Sequence, residues 1–149
     1  MKKFPDLPPI WALAMAMLSW LLAGIFPVLL LPPLPLAATL VGAGGLTLIL
    51  WSAFWFRRKQ TSIEPHHTPT ALIVEGPYRL SRNPIYLGMA LILAGLALWF
   101  GTVSSWLPVL AFPVIITRRF IDREEAALRA AFGSEAEDYL TRTGRWLRF

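Results

Sequence analysis

The sequence predicts an all-α membrane protein, with about four transmembrane helices and short cytoplasmic helices at the C-terminal end. Three observations carry that prediction. No charged residue occurs between Leu7 and Phe56, and none between Asn83 and Thr117; the 14 basic and 9 acidic residues all flank these blocks. Hydrophobic residues make up 56% of the chain, and the mean hydropathy is +0.54, more apolar than an ordinary soluble domain. A charge placed in hydrocarbon is costly, so charge-free blocks of this length read as membrane-embedded. One spanning helix takes about 20 apolar residues. The first block therefore holds two helices. The second holds two short ones, or one long helix and a re-entrant piece.

The first helix is expected from about Ile10 to Leu31, kinked by Pro27, with a turn at Pro32, Pro33 and Pro35. The second is expected from Leu36 to Phe56. Its Gly42, Gly44 and Gly45 offer a thin face for close helix contact, and Trp51 and Trp55 suit an interfacial belt. Arg57, Arg58 and Lys59 stop this span. Together with Lys2 and Lys3 they place the N-terminus and the following loop in the cytoplasm by the positive-inside rule.

Residues 60–81 form a polar, proline-containing connector. Asn83 and Pro84 start the third helix, Asn as N-cap and Pro at the first helical position, and it runs to about Phe100. Gly101 to Ser105 is the outer turn. The fourth helix starts near Trp106 and continues past Thr117 as a charged helix ending at Phe132-Gly133. Ser134 and Glu137 would form a capping box for a short last helix, which Gly144 ends. The 149 residues make one domain: residues 1–59 an N-terminal hairpin, residues 60–149 a connector, a second hairpin and the C-terminal helices.

Composition removes several function classes. There is no cysteine, which excludes disulfides and thiol catalysis. The formal charge of +5 reads as cytoplasmic anchoring, not nucleic-acid binding. No acidic residue lies inside a span, which argues against a small cation transporter. Lys2 and Lys3 precede an apolar run without a clean small-residue cleavage site, so no cleavable signal peptide is expected. The His66-His67 pair lacks clustered acids, and no metal site is expected.

In the charged helix, Thr117, Ile121, Leu128 and Phe132 share one stripe at 100° per residue. Arg118, Asp122, Glu125 and Arg129 line one edge as an ion-pair ladder. Glu124 lies on the other side and is expected to be the carboxylate available to a ligand.

Two motifs carry a resemblance. Leu72-Ile73-Val74-Glu75-Gly76-Pro77-Tyr78-Arg79-Leu80-Ser81-Arg82-Asn83-Pro84-Ile85-Tyr86-Leu87-Gly88 resembles the central motif of the isoprenylcysteine carboxyl methyltransferases and the related phospholipid methyltransferases. Arg123-Glu124-Glu125-Ala126-Ala127-Leu128, with Phe132-Gly133 and Tyr139, resembles their second motif. Asn83 stands where eukaryotic carboxyl methyltransferases have His, and the second Tyr of the later motif is absent, with Thr143 near its place.

The resemblance implies an integral membrane enzyme that uses S-adenosyl-L-methionine and releases S-adenosyl-L-homocysteine. It places the enzyme in a membrane, the inner membrane for a bacterium, with both termini cytoplasmic. It is unlike a soluble nucleotide-fold methyltransferase, and the chain has no G-x-G-x-x-G after a strand. By resemblance, Leu72 and Ile73 would line the adenine or ribose. Tyr78 would stack on or hydrogen-bond to the cofactor. Asn83, Pro84 and Tyr86 would contact it where free backbone N–H groups suit a carboxylate. Glu124 would bind the ribose hydroxyls or the ammonium. Arg82 would pair with the cofactor carboxylate or support Glu124. Arg118 or Arg119 would hold an anionic substrate head.

The acceptor implied is lipophilic or lipid-linked, reached from the surrounding membrane lipids. Carboxyl methylation of an isoprenylcysteine type is the first expectation and phospholipid N-methylation the alternative. A non-enzymatic small transporter and a nicotinamide-dependent reductase of the wider superfamily are the rival classes. The sequence does not specify an oligomeric state.

Overall fold

Proline and glycine set the helix ends. In the computed structural model, which describes residues 6–29, 32–60 and 70–147, α1 is Pro8–Ile25 and α2 is Pro35–Lys59. A 3-10 turn spans Gly76–Arg79, α3 is Pro84–Phe100 and α4 is Trp106–Ile116. A π-helical turn, Thr117–Ile121, leads into α5, Asp122–Arg142. There is no β-strand among the described residues, so the chain is all-α.

α1 stops short of its expected end. The residue before a proline is pushed out of the α region, and Phe26, before Pro27, sits at φ −127°, ψ 66°. The proline thus terminates the helix where a kink was expected. α2 runs one turn further than expected, to Lys59. It ends on Gln60 in the left-handed region, with three cations in its last turn that favour the negative end of the helix dipole. α3 has the expected limits and ends on Gly101 at φ 63°.

α1 and α2 are long and apolar enough to cross a membrane, with mean hydropathies of 1.6 and 1.7 and only 11% and 17% of these stretches buried. α3 is apolar but has 17 residues, and α4 has 11 before the π turn.

α2 packs along α3, and α1 packs on both α3 and α4. The α2–α3 contact is built on bare backbone. A Cβ at Gly45 would come within 2.5 Å of the Gly88 carbonyl, one at Gly88 within 2.6 Å of the Gly45 carbonyl, and one at Gly95 within 2.8 Å of the Ala38 carbonyl. Gly44 faces open space and takes no part. At the far end, the Ser19 hydroxyl donates to the Ser105 carbonyl at 2.6 Å and the Ser104 hydroxyl to the Leu22 carbonyl at 3.2 Å. These bonds seat the α3–α4 turn against α1.

The main core is Tyr86, Leu93, Ala97, Val109, Phe112, Ile116, Phe120 and Ile121. A second cluster of Ile73, Tyr78, Tyr139 and Leu140, backed by Trp55, Phe56 and Leu72, lies where the connector meets α5. α5 breaks at Gly133, φ 53° and ψ −124°, where a helix end was expected. The expected Ser134–Glu137 capping box is replaced: the Glu137 carboxylate accepts from Arg129 Nε at 2.9 Å.

Candidate functional site

The residues of the two motifs converge at one end of the bundle. Residues 81–83, between the 3-10 turn and α3, meet the segment that follows α5. The Arg82 N–H donates to the Gly144 carbonyl at 2.9 Å. The Ser81 hydroxyl and the Asn83 side-chain amide both donate to the Arg145 carbonyl, at 3.1 and 3.0 Å. Asn83 is the N-cap residue of α3, but its side chain makes no capping bond, being turned to the C-terminal strap instead.

The two adjacent glutamates have different surroundings. Glu125 is 3% exposed. Arg145 grips it through Nε and an amino group, both at 2.8 Å, and Arg82 reaches it at 3.0 Å. The expected ladder survives only as a 3.9 Å approach of Arg129 to Glu125. Asp122 pairs with Arg145 at 3.0 Å, not with Arg118. Arg82 therefore serves Glu125, where it was expected to support Glu124 or bind a cofactor carboxylate. Burial pushes the Arg82 guanidinium down, and the Glu125 carboxylate pushes it back up.

The π turn explains the misreading. It adds one residue to a helical turn, which rotates everything after it by about 100°. A straight-helix phase carried from Thr117 therefore puts Glu125 on an outer edge, whereas the observed helix turns it inward.

Glu124 is half-buried and accepts a hydrogen bond from the Tyr86 hydroxyl at 2.5 Å. Its charge bears on the Tyr78 phenol as well, so Tyr78, Tyr86 and Glu124 form one group. Tyr78 packs edge-on against Phe56 with ring centroids 5.9 Å apart, and its carbonyl accepts from the Tyr139 hydroxyl at 3.0 Å. Burial, with Tyr139 and Glu124 nearby, raises the Tyr78 phenol well above its ordinary value; burial raises Tyr139 too. Both phenols stay neutral at working pH and act as hydrogen-bonding groups, not bases. Ile73 is buried beside them, Leu72 packs at the edge of the same cluster, and Pro84 is buried at the first position of α3.

Trp55, expected in an interfacial belt, belongs to this cluster. A Cβ at Gly76 would collide with its indole, and Gly76 has φ +59°, a conformation glycine adopts without strain. The buried Trp55 Nε1 and Arg82 Nε have no hydrogen-bond partner among the described residues. Lys59 closes the edge, paired with Glu75 at 2.5 Å.

The two arginines expected to hold a substrate head separate. Arg119 Nε binds both oxygens of Asp6, at 2.8 and 2.9 Å, and its guanidinium lies 5.0 Å from the Trp11 ring centroid. It ties the start of α1 to the π turn. Arg118 is exposed and borders a shallow groove of about 250 Å³ with Pro113, Val114, Thr117 and Trp146. Glu64, a candidate base for an amine acceptor, and the His66-His67 pair lie outside the described residues. Arg145, Trp146 and Trp55 were not expected at the site. Nothing in the sequence after Gly144 signals that this segment folds back on the motif.

A family model for phospholipid methyltransferases matches residues 34–135, from the start of α2 into α5. The chain belongs to the phospholipid methyltransferase family. A relative, an uncharacterized protein of Haemophilus influenzae, is 40% identical over 63 residues, which are 42% of this chain and the whole of that protein. No solved structure matches the chain. Membership in this methyltransferase family brings a lipid-related acceptor with it and agrees with the two helices able to cross a membrane.

Proposed function

We propose that this phospholipid methyltransferase family protein transfers a methyl group from S-adenosyl-L-methionine to a lipid-borne acceptor at a cytoplasm-facing site. The observation that carries the proposal is the Tyr86–Glu124 hydrogen bond set beside Tyr78 and the Leu72–Ile73 wall. The donor set fits the cofactor. An apolar, aromatic wall suits an adenine. The Glu124 carboxylate suits a ribose diol or an ammonium. The buried N–H groups of Trp55 and Arg82 stand ready for an acceptor atom.

Bound there, the cofactor supplies an electrophilic methyl on a sulfonium. The protein's work is alignment and exclusion of water. Leu72, Ile73, Tyr78, Pro84, Tyr86 and Glu124 would contact the cofactor. Asn83 and Arg82 would hold the surrounding backbone through the C-terminal strap and Glu125. Arg118 is the better placed of the two arginines for an anionic acceptor head, because Arg119 is engaged by Asp6.

A carboxylate acceptor is already a nucleophile and asks only for orientation. An amine acceptor must lose a proton to a base. Glu75 is a poor base, since the Lys59 ammonium holds it below the ordinary carboxylate range. Among the described residues that would leave Glu124 with two tasks, so carboxyl methylation asks less of them. Phospholipid N-methylation is the second reading, favoured by the family match.

In the membrane the chain would form one domain of four spans, α3 and the α4–π continuation completing the set. Both termini would be cytoplasmic, as the cations in the last turn of α2 and in the π turn after α4 support. In a bacterium this would be the inner membrane.

Calorimetric titration with S-adenosyl-L-homocysteine, with NADPH as comparator, tests the proposal. Saturable micromolar binding of the first alone supports it. Binding of NADPH instead assigns a reductase, and binding of neither by folded protein overturns it.

A further inference from the structure

Trp55 lies outside both sequence motifs, in the last two turns of α2, and its side chain is half-buried. Its indole Nε1 is fully buried and has no hydrogen-bond partner among the described residues. A buried N–H without a partner is costly, and nearly all such groups in folded proteins are paired. The ring itself is well held. It packs against the cluster of Ile73 and Tyr78, Phe54 meets it edge-on with centroids 6.3 Å apart, and the Arg58 guanidinium lies 5.3 Å from its centroid.

The Gly76 backbone rests against this nitrogen, and Nε1 is the first atom that a Cβ at Gly76 would strike. The volume that any other residue would fill is therefore the space left beside the N–H. Arg82, whose Nε also lacks a partner, is committed by charge to Glu125. Trp55 is a neutral donor in an apolar wall, with no counter-charge to answer.

Of the groups on S-adenosyl-L-methionine, the ammonium and the sulfonium accept no hydrogen bond. The carboxylate calls for a cation, but Lys59 is paired with Glu75, and an ion beside Leu72 and Ile73 would lose its water without return. The ribose hydroxyls suit Glu124. A ring nitrogen of adenine is neutral, sits in a flat apolar frame and accepts one N–H.

We propose that Trp55 determines specificity for the cofactor's base: its indole N–H donates to a ring nitrogen of the adenine, the Gly76 turn shifting off the N–H as the base enters. That the ligand is this cofactor rests on the function proposed above. The N–H is unpaired in the free chain and paired in the complex, and that difference favours the shifted turn. A site built around such a bond rejects an analogue that lacks the acceptor.

The test uses S-adenosyl-L-homocysteine and its 1-deaza, 3-deaza and 7-deaza adenine analogues, each with one ring nitrogen replaced by C–H. In calorimetric titration of the detergent-purified wild type, at least one analogue should bind tenfold or more weaker than the parent compound. Trp55→Phe keeps an aromatic ring and removes the donor. It should bind the parent tenfold or more weaker than the wild type does, and no longer distinguish it from that analogue. Trp55→Leu serves as the second variant should Trp55→Phe not fold. Trp51→Phe, which alters an exposed indole one turn earlier, should bind all four compounds as the wild type does.

The indole N–H resonances of 15N-labelled protein report the bond directly. The chain has seven tryptophans, and the resonance missing from the Trp55 variant is that of Trp55. It should move downfield when the parent binds and keep its place when the rejected analogue is added to saturation.

Equal affinity of the wild type for all four compounds overturns the proposal. So does undiminished discrimination in the Trp55 variant, or a Trp55 resonance that the parent leaves unmoved. Binding of the parent without dependence on Trp55 removes this inference alone and keeps the methyltransferase reading. Binding of none of the four by folded protein removes both.

Discussion

Arg145 grips Glu125 with two hydrogen bonds of 2.8 Å across 20 residues of sequence, while the neighbouring Glu124 turns the other way to accept from Tyr86. Two adjacent carboxylates thus have two tasks. One holds together the loop before α3, α5 and the C-terminal strap. The other stands in the group offered to a ligand.

Removing Glu125 should cost stability. Its carboxylate is 3% exposed and shared by Arg82 and Arg145. Breaking a buried pair leaves uncompensated charge and costs about 3–5 kcal/mol. Glu125→Ala should lower the melting temperature sharply in detergent, with the isosteric Glu125→Gln milder. The product affinity of whatever Glu125→Gln remains folded should change much less than for the Glu124 variant. Unchanged melting in Glu125→Ala would remove the central role assigned to this cluster.

Glu124→Gln should behave in the opposite way. The side chain is half-buried and isosteric replacement keeps its volume, so melting should shift little. Affinity for S-adenosyl-L-homocysteine should fall tenfold or more, about 1.4 kcal/mol. Tyr86→Phe removes the hydroxyl that donates to Glu124 and should fall between wild type and Glu124→Gln. Equal losses in the Glu124 and Glu125 variants, by calorimetry, would cancel the division of labour.

Charge-free blocks and proline positions made much of the fold legible, because they act locally. α3 could be bounded at both ends from Asn83-Pro84 and Gly101 alone. The far end of α1 was misplaced because Pro27 terminates a helix that a kink would have continued. The site was legible as motifs but not as contacts. Hydrogen bonds from Ser81 and Asn83 to the Arg145 carbonyl span more than 60 residues and leave no periodicity in the chain. The inward turn of Glu125 depends on the π turn at Thr117–Ile121, a register change that straight-helix phasing cannot foresee.

The glycines of α2 and α3 give a graded test. A Cβ at Gly88 would meet the Gly45 carbonyl at 2.6 Å and Ile49 Cγ1 at 2.6 Å. Overpacking of this kind costs about 1–3 kcal/mol. Gly88→Ala and Gly45→Ala should therefore lower thermal stability. At Gly44 a Cβ meets nothing within 4 Å, and alanine is the better helix former by roughly 0.5–1 kcal/mol. Gly44→Ala should be neutral or slightly stabilising. A melting series in one detergent decides it, and equal destabilisation at all three positions would dissolve the α2–α3 backbone contact.

Acid should loosen the edges before the centre. The Arg119 hydrogen bond, followed by that of Trp11, lowers the pKa of Asp6, and the Lys59 hydrogen bond lowers that of Glu75. A carboxyl lowered in the folded state binds its proton more weakly there than when unfolded. Its contribution is therefore complete above the ordinary value, 3.8 for Asp6 and 4.5 for Glu75, and is lost as pH falls through the lowered one. Melting temperature should hold steady from neutrality to about pH 5 and decline below it, the decline being shallower in Asp6→Asn and Glu75→Gln than in the wild type. Exposed pairs contribute little, about 0–1 kcal/mol, so the Glu75 difference should be small and shrink further in high salt. An equally steep acid decline in both variants would show that neither pair contributes to stability.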